Sequence, residues 1–247
     1  MKTKNGRKVN GVILWEGASA FDGAPIAVIA TGLDESSANE KTGAMIQTWI
    51  IRRDVEPHKA LKTGEDSAVC GDCPHRPANG GACYVTVFQA PLSVYRAYHR
   101  KAYATIDEFD GNPLTGRIVR IGSYGDPAMV PVSVWESATA GAAGWTGYTH
   151  QWRREFAAPL RRFCMASADS VRDMEEARAA GWRTFRVRRA EEPLQAREVI
   201  CPASAEAGFK TNCATCQACK GADGRRGTIA IVVHGAASKV KAFNRAA

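Results

Sequence analysis

The 247-residue sequence predicts an α/β fold, a small (β/α)8 or partial barrel with an N-terminal β-hairpin and cysteine-rich loops. Three observations predict it. From Ile46 onward, short β-branched runs alternate with amphipathic or alanine-rich stretches, the pattern of a mainly parallel sheet whose strands are joined by helices. Eight such runs can be counted, at residues 46–52, 83–87, 117–123, 145–150, 163–167, 184–188, 198–201 and 228–234. Neither G-x-G-x-x-G after an early strand nor G-x-x-x-x-G-K-[ST] occurs, so the phosphate-cradling loops of an open doubly wound sheet, the competing architecture, are absent.

Taken in order, residues 11–15 and 24–31 read as hairpin strands around the turn residues Phe21, Asp22 and Gly23. Residues 1–40 are therefore expected to form a basic segment and hairpin appended to a barrel domain spanning 41–247. Helical stretches are expected at 57–63, 91–103, 131–140, 153–160, 170–180 and 238–244. The clearest is 170–180, with Asp169 and Ser170 as capping residues before it and Gly181 as a stop after it. The sixth and seventh strand connections carry weaker signals.

With 45% hydrophobic residues the chain can bury one core, yet its apolar runs, such as residues 229–233, fall far short of the roughly 20 residues a membrane helix needs. The first ten residues are polar and basic rather than the apolar run of a secretory signal, which predicts a cytoplasmic protein. In that reducing compartment eight cysteines are not expected to form disulfides. The formal net charge of +8 favours a polyanionic partner, nucleic acid or nucleotide, although basic residues also confer plain solubility.

Cysteine spacing then points to metal. Cys213, Cys216 and Cys219 form C-x2-C-x2-C, and Cys201 lies just upstream, giving four soft ligands suited to zinc or an iron–sulfur cluster. Three cysteines in that succession lean towards iron–sulfur, since zinc usually takes two pairs. A second group, Cys70, Cys73 and Cys83 with His75, would saturate one zinc, and the two groups could also meet at one site. Placed on the expected barrel, the Cys201–Cys219 loop follows a strand on the catalytic face, whereas the earlier group precedes the second strand, on the opposite, stabilising face. Cys164, alone at the start of an expected strand, reads as core. His234 is an alternative ligand to Cys201.

Polar residues gather at expected strand ends. Ser123, Tyr124 and Asp126 follow the third strand, His150 ends the fourth and Asp169 follows the fifth, so these five are the catalytic candidates. Each has a plainer reading beside it. The 125–127 segment could be only a tight turn, His150 a satisfied structural histidine, and Asp169 a helix cap. Arg120, Arg186 and Arg188 lie on expected strands and could hold a phosphate or carboxylate if they point inward.

Residues 41–49 (KTGAMIQTW), 70–76 (CGDCPHR), 122–127 (GSYGDP), 147–152 (GYTHQW) and the 201–219 segment together resemble an uncharacterised cysteine-rich family associated with phages and plasmids of bacteria. The resemblance covers most of the chain and implies a mobile-element origin without an assigned activity. More distantly, the cysteine-rich loop ending in Cys83-Tyr84 is similar to that of phage barrel proteins related to radical S-adenosylmethionine enzymes, although their C-x3-C-x2-C spacing is absent. The tRNA-guanine transglycosylase barrel is similar in its cysteine-rich zinc loop, which would assign ligand roles to Cys213, Cys216, Cys219 and His234. The expectation is a metal- or iron–sulfur-containing barrel enzyme acting on nucleic acid or a nucleotide. The competing expectation is a non-enzymatic zinc protein that binds nucleic acid or a host protein.

Overall fold

Aliphatic, β-branched segments supply ten strands: β1 (Gly11–Ala18), β2 (Pro25–Thr31), β3 (Ile46–Arg52), β4 (Ala104–Thr105), β5 (Ile118–Tyr124), β6 (Gly144–Thr149), β7 (Met165–Ala168), β8 (Thr184–Arg188), β9 (Glu198–Ile200) and β10 (Thr228–Val232). In this computed structural model, which describes residues 1–35, 39–81, 83–222 and 227–246, they form one sheet ordered β4-β1-β2-β3-β5-β6-β7-β8-β10-β9. Strands β1, β2 and β3 are antiparallel, and every pairing from β3 through β9 is parallel.

Seven α-helices occur among the described residues: α1 (Pro57–Thr63), α2 (Ser67–Cys70), α3 (Ala90–His99), α4 (Val132–Thr139), α5 (Val171–Ala179), α6 (Cys213–Cys216) and α7 (Ala237–Ala246). Helix α5 shows why the local sequence suffices. Ser170 caps it by accepting from the Asp173 amide, Met174 and Ala177 give it a buried face, and that face packs on β7 and β8.

The sheet is α/β and mostly parallel, but it does not close into an eight-stranded barrel, because β4 and β9 end it without pairing to each other. The hairpin explains this. One edge of β3, which the last strand of a closed barrel would need, is occupied by β2 over residues Ile26 to Thr31. Val12, Ile26 and Ile29 of the hairpin strands share one core with Val119, Ile121 and Trp135. Residues 83–87 form no strand, for both edges of β3 are taken and the Cys83 amide is tied to the His75 carbonyl at 2.9 Å. The 153–160 stretch becomes a 3-10 helix, Glu155–Arg162, containing Pro159. Finally, β10 inserts between β8 and β9 rather than following β9 at the edge.

Alternation along the parallel strands positions the site. Arg120, Thr146, Tyr148, Ser167, Phe185, Val187, Ile229 and Ile231 all point from one face of the sheet into a cavity of about 510 Å³. Among the described residues, no helix is long and apolar enough to cross a membrane.

Candidate metal centre

Seven of the eight cysteines line this one cavity. The loop carrying four of them is fastened at each point where a thiol must be aimed. The Cys201 amide donates to the Ala230 carbonyl at 2.8 Å, continuing the β9–β10 ladder. Asn212 caps α6, its side chain accepting from the Thr215 amide at 3.0 Å, and the amides of Cys213 and Ala214 donate to the carbonyls of Lys41 and Thr42 at 2.9 and 3.0 Å. Gly147 of β6 donates to the Cys219 carbonyl at 3.2 Å. Behind the loop, the Arg183 guanidinium donates to the carbonyls of Ala218 at 3.0 Å, Lys220 at 2.5 Å, Gly221 at 3.1 Å and Gly227 at 2.7 Å. Burial pushes the Cys219 thiol up to about 12 and raises those of Cys201 and Cys213. Arg120 and Lys41 stand close enough to oppose that rise at Cys213.

Cys70, Cys73 and Cys83 line the same cavity, which corrects their expected placement on the opposite face. The physical reason is the missing strand at 83–87. The group follows β3, the first parallel strand, and so lies at the carboxyl end of the sheet. A buried ion pair shapes its loop. Arg76 meets Asp66 at 2.7 and 3.1 Å and donates to the carbonyls of Gly71 and Gly64 at 3.1 and 2.5 Å. Burial raises the thiols of Cys70 and Cys83.

His75 does not complete this trio. Its Nε2 lies 2.9 Å from Asp169 Oδ1, and His150 Nε2 lies 3.4 Å from Asp169 Oδ2. Among the described residues, these three form the only group of three or more His, Cys, Asp or Glu ligand atoms that all lie within 4.8 Å of one another. Among the described residues no three cysteine thiols meet that limit.

All five catalytic candidates line the cavity: Ser123, Tyr124, Asp126, His150 and Asp169. Their hydrogen bonds separate them. The buried Asp126 carboxylate accepts from the Ala128 amide at 3.0 Å, the Thr149 hydroxyl at 2.7 Å and the His150 amide at 2.8 Å, so it fixes the β5 and β6 loops to each other. Ser123 donates to Gln47 Oε1 at 2.7 Å, and Tyr124 is buried. Asp169 does not cap α5, a task that falls to Ser170. Burial alone would raise the Asp169 carboxyl and lower the His150 ring. The neighbouring imidazoles reverse the first, holding Asp169 well below the usual carboxylate range, and Cys73 with Asp169 reverses the second, raising His150.

The three candidate arginines part company. Arg120 reaches the cavity with its Nε buried and without a hydrogen-bond partner. Arg186 and Arg188 alternate with Phe185 and Val187, which take the cavity side, so both guanidiniums emerge on the other face and cannot meet a ligand in the cavity. There Arg186, wholly buried, binds Glu198 and Glu192 at 2.8 and 3.0 Å, and Arg188 binds Glu206. His234 Nε2 faces Lys41 Nζ at 2.8 Å, while Cys164 is buried in the core.

Arg76, Arg183 and Lys41 were not singled out by sequence. The first two act on backbone carbonyls, which leave no side-chain motif. No family model, curated protein or solved structure matches the chain.

Proposed function

We propose that the protein is a metalloenzyme, a partial barrel whose two cysteine loops hold iron–sulfur chemistry at the carboxyl end of the parallel strands, acting on a nucleotide or nucleic-acid substrate. The observation that carries this reading is the convergence of seven of eight cysteines on one cavity. The C-x2-C-x2-C succession favours an iron–sulfur cluster over zinc, which usually takes two pairs. Cys201, Cys213, Cys216 and Cys219 supply a full set of four thiolates for one cluster; Cys70, Cys73 and Cys83 supply three. The negative charge of a thiolate-bound cluster is matched by Lys41 beside the four-cysteine loop. Arg120, with its unpartnered Nε, is the group that would receive an anionic substrate. A bound cluster supplies electron transfer or Lewis acidity, and the chain's own residues aim the thiols and exclude water.

The test is anaerobic purification followed by absorption spectroscopy and metal analysis. A brown protein absorbing near 400 nm that loses iron on Cys216→Ser is expected. Colourless protein carrying stoichiometric zinc would overturn the iron–sulfur reading in favour of a structural zinc protein.

A further inference from the structure

We propose that His75, His150 and Asp169 form a separate mononuclear site for a divalent metal ion, held by two imidazole nitrogens and one carboxylate. The site is independent of whether the cysteines hold clusters. Three convergent ligand atoms within 4.8 Å come from three different segments, the loop after α2, the end of β6 and the end of β7.

The spacing suits a shared ion. The imidazole-to-carboxylate separations are 2.9 and 3.4 Å, and two ligands each about 2.1 Å from one metal stand ~3.0 Å apart at an octahedral edge and ~3.4 Å apart at a tetrahedral one. His150 Nε2, 3.4 Å from Asp169 Oδ2, and Asp169 Oδ1, 2.9 Å from His75 Nε2, each make no hydrogen bond of acceptable direction, although both atoms are buried. Buried polar atoms left without a partner call for one, and a shared metal ion would supply it.

Backbone contacts and one ring contact position the residues that carry the ligands. Asp126 accepts from the His150 amide at 2.8 Å, and the Asp169 amide donates to Asp173 at 3.2 Å. The Phe243 ring stacks on His75 with centroids 5.9 Å apart. Two imidazoles and one carboxylate leave coordination positions open, the arrangement used for iron(II), manganese(II) or cobalt(II) rather than for a closed structural zinc. Both access routes exist, because the three residues line the cysteine cavity and also a second cavity of about 490 Å³ bounded by Trp152, Arg153 and Asp173.

Manganese(II) is the probe, since it prefers nitrogen and oxygen donors and discriminates against thiolates. Titration of the full chain followed by electron paramagnetic resonance is expected to show one tightly bound manganese per chain. Asp169→Asn and His150→Ala should each weaken binding at least ten-fold, whereas Arg172→Ala, at an exposed residue of α5, should leave it unchanged. Wild-type protein that binds no manganese overturns the proposal without recourse to any variant. So does binding that survives both Asp169→Asn and His150→Ala in folded protein.

Discussion

Gly71 lies in the C-x2-C turn with φ of +59°, and a Cβ there would meet the Gln151 side-chain amide at 2.5 Å. The same amide donates to the Cys70 carbonyl at 3.2 Å, so the glycine lets the turn dock on the residue following His150. Gly71→Ala should therefore cost about 1–3 kcal/mol, the range for a non-glycine residue forced into a left-handed conformation against packed neighbours. Denaturant titration measures the loss, and an unchanged midpoint would mean that the folded chain holds neither the positive φ nor the close approach to Gln151. At this scale the cysteines and the polar strand ends were legible, because C-x2-C spacing and strand-end position survive in the sequence as patterns. Gln151 and Arg183 were not. Each is defined by a backbone carbonyl brought near only in the folded chain.

Within single strands, the sequence showed that Arg186 and Arg188 share a face but not which face. The deciding partner is Glu198, on β9, which reaches Arg186 although β10 lies between their strands. Burial pushes the Glu198 carboxyl up, but the Arg186 guanidinium and the Gln195 amide outweigh burial and hold it below the usual range. A carboxyl lowered in the folded state stabilises it at pH values above the unfolded pKa of about 4.3, and that contribution fades as pH falls through the folded value. Glu198→Gln should remove this part of the acid-side decline in a pH series of unfolding curves. Near neutral pH the same change leaves a buried guanidinium short of its main countercharge, at a cost of about 3–5 kcal/mol. A variant as stable as the wild type at pH 7, with an unaltered acid limb, would show that the pair contributes nothing.

For the whole molecule, alternation of strand and helix signals was enough to indicate a mainly parallel α/β sheet. Closure was not legible, because it depends on whether an edge of β3 remains free, and only the register of the hairpin against β3 answers that. Residues 83–87, strand-like in composition but not a strand in the fold, likewise leave the end of the sheet on which Cys70, Cys73 and Cys83 lie illegible in the sequence. The net charge of +8 leads to a further expectation. If a nucleotide or nucleic acid occupies the cavity, Arg120→Ala should weaken binding by about 1–3 kcal/mol, as for a charge-assisted contact. Arg172→Ala, at a residue whose side chain is 86% exposed, should change little. For a nucleic acid, affinity must also fall steeply with added salt. Equal effects at the two arginines, or binding indifferent to salt, would rule out that partner.

The position of β10 between β8 and β9 also sets an order of events during synthesis. Among the described residues β9 has no strand partner except β10, which is translated after all four cysteines of the 201–219 loop. Cys201 therefore leaves the ribosome before the strand that receives its amide, whereas Lys41, Thr42 and Gly147, which hold the rest of its loop, are already made. A metal offered to the loop would meet its complete frame only once residues 228–232 lie beside β8.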